Sequence, residues 1–149
     1  MTETSLKIRS LSELDLSDIV RISELTQGSY QPELWEDRVT YYLRRDPEGS
    51  VVAEEDGRVV GFMLGDVRAG DFGLEEPCGW IEVIGVDPER GGQGIGRALG
   101  AAILERYRAR GVSSVRTMVD SSMPEIERFF LALGFQADTL RPFVKRLAG

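Results

Sequence analysis

Apolar and polar residues alternate or recur along this chain with a small set of periods, and these predict its elements. Leu6-Lys7-Ile8-Arg9 alternates and reads as a short first strand. Leu14, Ile19, Ile22 and Leu25 stand near helical spacing, with Ser17 as the expected N-cap. Pro32 opens a second helix whose stripe is Leu34, Trp35, Val39, Tyr42 and Leu43, and Asp46-Pro47-Glu48-Gly49 stops it. Two strand runs, 50–55 and 58–67, flank Asp56-Gly57, a hairpin dipeptide. The stretch 68–78 reads as a loop rich in glycine and acid. Residues 80–86, Trp-Ile-Glu-Val-Ile-Gly-Val, are almost wholly apolar, which predicts a central strand covered on both faces. A glycine-rich turn leads to a helix over 93–110 with Gly111 as C′ cap. A strand over 112–119 follows. Ser121 or Ser122 is then expected to cap a helix carrying Ile126, Phe129, Phe130 and Leu133, closed by Gly134. Strands at 135–137 and 143–147 complete the expectation. This order predicts an α/β protein with one mixed sheet and a parallel pair around the 93–110 helix.

At 149 residues the chain has the length of one domain, 1–149, with no repeat or linker. Histidine is absent and Cys78 is the single cysteine, which excludes Ser-His-Asp and Cys-His sites, a Cys/His zinc site and an internal disulfide. No metal is expected. No apolar run reaches the roughly 18 residues a membrane span needs, and the first residues carry no export pattern. A single cysteine without that pattern fits a cytoplasmic protein. The net charge of −7 argues against nucleic acid or an anionic membrane as partner. Arg90, Arg97, Arg106, Arg108 and Arg110 against Glu89 and Glu105 make 89–111 locally basic, which suggests an anion site.

Gly91-Gly92-Gln93-Gly94-Ile95-Gly96 lies between the apolar strand and the helix, flanked by Arg90 and Arg97. Glycines let several backbone N–H groups converge, and a helix N-terminus adds its dipole, so the turn reads as a phosphate cradle. No Gly-Lys-Ser/Thr follows, so it is not a P-loop. Leu99 stands where a dinucleotide fingerprint needs glycine.

The run from Val86 to Leu99, Val-Asp-Pro-Glu-Arg-Gly-Gly-Gln-Gly-Ile-Gly-Arg-Ala-Leu, resembles motif A of the GNAT acyl-CoA N-acyltransferases. Phe129-Phe130-Leu131-Ala132-Leu133-Gly134-Phe135 resembles that family's Phe-Tyr-x-x-Leu-Gly-Phe. The resemblance implies the GNAT fold, with six or seven strands and about four helices. It also implies acetyl-CoA as cosubstrate, with its pyrophosphate on the amides of residues 91–96. Pantetheine would lie along Ile84 and Val86, where strand 80–86 splays from strand 112–119. Phe130 falls at the cofactor end. A primary amine, either small and cationic or a protein lysine or N-terminus, would be the acceptor by direct attack, and the superfamily also allows a homodimer. Three positions depart from the pattern. Gly91 replaces an Arg or Gln, Phe130 replaces a frequent tyrosine and so removes a phenol proton source, and Met123 stands where an asparagine is common.

Amine attack needs a neutral nucleophile, and deprotonating a lysine-like amine at pH 7 costs about 4.6 kcal/mol. Without histidine a carboxylate is the natural general base. Glu82 is the only ionisable group between Ile81 and Val86, and alternation places it on one face with Ile84 and Val86. The backbone N–H of Val86, or of a neighbour at a bulge in this strand, is the oxyanion donor the resemblance implies. Ser122, Ser121 and Tyr107 are candidates to protonate the leaving thiolate, and solvent is another source. The first two helices and the 68–78 loop, with Tyr30, Trp35, Tyr41 and Tyr42 and the acids Glu33, Glu36, Asp37, Asp71, Glu75 and Glu76, would form the acceptor side. A non-catalytic acyl-CoA-binding regulatory module is the rival reading, sustained by Phe130 and Met123.

Overall fold

The computed structural model describes residues 6–148. Five strands form one sheet in sequence order: β1 Leu6–Ser10, β2 Val51–Glu55, β3 Arg58–Arg68, β4 Cys78–Val86 and β5 Val115–Thr117. The first four pair antiparallel and β4 pairs parallel with β5. The helices are α1 Leu16–Gln27, α2 Pro32–Arg45, α3 Ile95–Ala109 and α4 Pro124–Ala132. Asp56 and Gly57 take φ of 53° and 77°, the left-handed pair that a two-residue hairpin requires. None of the helices among the described residues is long and apolar enough to cross a membrane.

The chain divides after Met118 into two compact units. In the first, one sheet face, with Val52, Phe62 and Leu64, packs with Ile19, Ile22, Trp35, Val39 and Tyr42 of α1 and α2. The other face receives α3 through glycines. A Cβ on Gly61 would lie 2.8 Å from Ile95, and one on Gly79 would lie 2.5 Å from the Tyr107 ring. Tyr107 is fully buried there and donates to the Gly49 carbonyl at 2.6 Å. In the second unit, α4 carries Phe130, buried edge-on between Phe129 and Phe135.

Five expectations are corrected. Among the described residues the sheet has five strands rather than six or seven. Residues 135–137 and 143–147 form no strand, and Phe143 and Leu147 are 91% and 89% exposed. Short apolar runs carry a period but no partner, and a strand needs a partner to satisfy its backbone. The strand expected over 112–119 contracts to Val115–Thr117. Ser17 caps nothing: Ser12 and Asp15 form a capping box on a 3-10 turn, so the helical path starts earlier. Neither Ser121 nor Ser122 caps α4. Met123 is its N-cap and Pro124 occupies the first turn, while the Ser122 hydroxyl is spent on Asp120 at 2.7 Å.

Candidate active site

The alternation of β4 breaks at Glu82. Leu64 of β3 faces Val83 and Gly65 faces Ile81, so Glu82 is the extra residue of a β-bulge. The bulge ends strict two-residue alternation, and Glu82, Val83, Ile84 and Gly85 all border one cavity of about 650 Å³. Its other wall comes from α1 (Ser23, Thr26, Gln27) and from α2 (Leu34, Trp35, Asp37, Arg38, Tyr41, Tyr42).

Pairing with β5 reaches only Ile81–Thr117, where the Thr117 hydroxyl donates to the Ile81 carbonyl at 2.8 Å. Beyond it, residues 82–86 have no second strand neighbour among the described residues. The direction of their backbone groups follows from the ladder. Asp87 N–H donates to the Val60 carbonyl at 2.8 Å, which makes Val60 and Asp87 a bonded pair. Antiparallel pairs alternate, so Val86 opposite Gly61 and Ile84 opposite Met63 turn their N–H and C=O groups away from β3, toward the open edge.

Glu82 is partly exposed, with one carboxylate oxygen anchored. Its Oε1 accepts from the Tyr42 hydroxyl at 2.8 Å and from the Arg68 guanidinium. Oε2 has no partner among the described residues. Burial, with the Glu82 hydrogen bond second, pushes the Tyr42 phenol well above its ordinary range, so it remains a protonated donor. Arg68 donates from Nε to Asp66 at 2.8 Å and from Nη1 to Asp71 at 3.3 Å. Fully buried Asp66 also accepts from Arg45 at 2.7 Å. Glu82 is therefore ion-paired, yet through one oxygen only. Sequence reasoning missed Asp66 and Arg68. Their i, i+2 spacing at the end of a strand was the available signal, since it places both on one face.

The glycine-rich turn follows β4. Gly92 and Gly94 adopt φ of 80° and 75°, and Gly94 is the N-cap of α3. The amides of residues 92–97 meet no acceptor among the described residues. Gly91 N–H, by contrast, donates to the Pro88 carbonyl at 3.4 Å, so the free set is one residue later than the expected 91–96. Gln93 is exposed and Gly96 opens the helix. The Ile95 side chain is buried against Gly61, leaving its amide as the group it can offer. Asp87 fixes the turn, accepting from Glu89 N–H and from Arg21, both at 2.9 Å. Burial alone would raise the Asp87 carboxyl, but these donors hold it below its ordinary range.

The basic island is mostly spent. Arg90 pairs with buried Glu55, Arg106 with Glu48, Arg108 with Glu105 and Arg110 with Asp46. Arg97 alone of the five is exposed without an ion-pair partner among the described residues. Tyr107 is sealed against Gly49 and reaches no solvent, which removes it as a proton source. Trp35, Tyr41 and Tyr42 line the cavity, whereas Tyr30 is 68% exposed and does not. Of the acids expected on the acceptor side, Asp37 borders the cavity and Asp71 serves Arg68. Buried Cys78 donates to the Gly79 carbonyl, a structural role. Phe130 packs within its own aromatic cluster.

The acetyltransferase (GNAT) family model matches residues 16–135. A mycothiol acetyltransferase of Thermobispora bispora is 40% identical over 101 residues, covering 68% of this chain and 34% of that protein. One from Thermomonospora curvata is 39% identical over 90 residues, covering 60% and 28%. The chain thus spans about a third of the length of these curated relatives. Among solved structures, the aminoglycoside N-acetyltransferase AAC(6')-Iy in complex with CoA superposes with a TM-score of 0.81 at 18% identity, covering 99% of this chain and 98% of that one. Ard1 from Thermoplasma volcanium gives 0.75 at 27% identity, covering 90% and 84%. The family model spans most of the chain, and the chain belongs to the GNAT acetyltransferase family.

Proposed function

We propose that the protein is an acetyl-CoA-dependent N-acetyltransferase that passes the acetyl group directly to a primary amine, with Glu82 as general base. The observation that carries this reading is the open edge of β4, which starts at Glu82 and leads into the free amides of residues 92–97. Those amides suit a pyrophosphate, because unpaired N–H groups and a helix N-terminus both favour negative charge. Arg97 is the cation free to assist them, while Arg90 is committed to Glu55. Pantetheine carries two amide groups, and the N–H and C=O groups of Ile84 and Val86 match them as an added strand would. The relatives' names, mycothiol and aminoglycoside acetyltransferases, support a small acceptor.

The ammonium loses its first proton to Glu82 Oε2, directly or through one water that passes it on to solvent; the lone pair then attacks the thioester carbonyl, and the same route takes the second nitrogen proton from the tetrahedral intermediate. The Val86 N–H faces the oxyanion that develops. The C–S bond then breaks and coenzyme A leaves as thiolate. Coenzyme A thiolate takes its proton from solvent, since Phe130 has no hydroxyl. Ser122 keeps a hydroxyl hydrogen-bonded to Asp120 and is assigned no part.

A thermal melt with acetyl-CoA, coenzyme A and ATP tests the binding half. At about 100 times Kd a ligand adds about 2.7 kcal/mol, which shifts Tm by several degrees at this chain length. The first two ligands are expected to produce that shift and ATP is not. Thiol release with an amine panel tests the chemistry. Glu82→Gln is expected to keep the acetyl-CoA shift and lower kcat about 10²- to 10⁴-fold. Full turnover by that variant would remove Glu82 from the reaction. A shift with no turnover of any amine would favour the acyl-CoA-binding module.

A further inference from the structure

The α2 residues on the cavity wall are apolar or aromatic with two exceptions, the chain neighbours Asp37 and Arg38. Leu34, Trp35, Tyr41 and Tyr42 surround Arg38, and all five border the cavity. Arg38 is half-buried, its guanidinium 4.7 Å from the Trp35 ring centroid. One face is thus shielded from water by indole, and no carboxylate lies within ion-pair distance among the described residues. Eight other arginines, Arg9, Arg21, Arg45, Arg68, Arg90, Arg106, Arg108 and Arg110, each pair with one. The other charges on the same wall do not answer it. Glu82 is held by Arg68, and Asp37, the chain neighbour of Arg38, is exposed.

A guanidinium placed over an aromatic ring leaves edge donors for a further partner, in a fork that fits a carboxylate. Arg38 lies four residues before Tyr42, about 6 Å along the helix axis, and the Tyr42 hydroxyl touches Glu82 Oε1. We propose that Arg38 is a specificity residue and that the acceptor is a small amine bearing a carboxylate several bonds from its nitrogen, as in an ω-amino acid or dipeptide. The amine would face Glu82 while the carboxylate takes the fork of Arg38. This inference rests on the acetyltransferase reading above and adds the acceptor's chemistry to it.

Paired acceptors that differ only in the acid test it: diglycine against glycylglycinamide, and 4-aminobutyrate against 4-aminobutyramide. Thiol release from acetyl-CoA gives kcat/KM for each. The wild-type protein is expected to favour each acid at least about tenfold. Arg38→Gln should lower kcat/KM for the acids about tenfold, mostly through acceptor KM, and collapse the acid-to-amide ratio. Arg38→Lys should restore part of it. The acetyl-CoA melt shift should survive in both variants, showing that they fold and bind the cosubstrate. Equal use of acid and amide by the wild type, or an Arg38→Gln loss that is equal for both, would overturn the inference and leave the acetyltransferase reading standing. Absence of both melt shift and turnover would overturn the two together.

Discussion

At the scale of single residues, Glu82 derives its character from groups distant in the chain. Tyr42 and Arg68 both hold Oε1, which leaves Oε2 as the oxygen open to the proposed proton transfer. Arg68→Gln should lower kcat about tenfold or more and also lower Tm, because Asp66 keeps only Arg45. Arg68→Lys should rescue little, since one ammonium cannot fork to Asp66, Asp71 and Glu82 together. Tyr107 makes the opposite case. Tyr107→Phe leaves the Gly49 carbonyl without its buried donor and should cost about 1–3 kcal/mol, read as a lower Tm. The kinetic constants should be unchanged, because the hydroxyl faces α3's side of the sheet. A comparable fall in kcat would mean that Tyr107 contributes to the reaction after all.

At the scale of elements, two local irregularities shape the site. The bulge at Glu82 gives four consecutive β4 residues access to one cavity, and the early end of β5 leaves Ile84 and Val86 unpaired on that side. The glycine turn supplies the amides. Gly92→Ala and Gly94→Ala force left-handed backbone on a residue with a Cβ, at about 1–2 kcal/mol each. Acetyl-CoA affinity should fall at least tenfold in an isothermal titration, and an unchanged Kd would dissociate the turn from the cosubstrate. This turn was legible in sequence because glycine content and a strand-to-helix switch are local signals. Hairpin, helices and central strand were legible for the same reason. The caps at Ser17 and Ser122 were misplaced because several polar residues compete at each helix start, and the backbone path decides between them. The strands at 135–137 and 143–147 failed because a short apolar run does not specify a partner.

At the scale of the whole chain, an acidic protein buries Asp15, Asp46, Glu55, Asp66 and Asp87 and binds each to arginine. Asp87 has its carboxyl held below the ordinary range in the folded state. A depressed folded value means that its contribution to stability is complete above the unfolded carboxylate value, about 3.9. That contribution is lost as pH falls through the folded value. Tm should therefore drop steeply below about pH 4, and Asp87→Asn should destabilise the protein at pH 7 while flattening that acid limb. A parallel acid limb in the variant would show that other carboxylates govern the transition. The sequence by itself determined the order of elements as far as α4, the hairpin, the glycine turn before α3 and Glu82 as the lone ionisable group of its strand segment, because each follows from neighbours a few residues apart. Tertiary structure decided which oxygen of Glu82 is free, where β5 stops, that Arg90 turns to Glu55 and that Arg38 faces the cavity without a carboxylate. Those outcomes depend on pairings between residues far apart in sequence, and no local period encodes them.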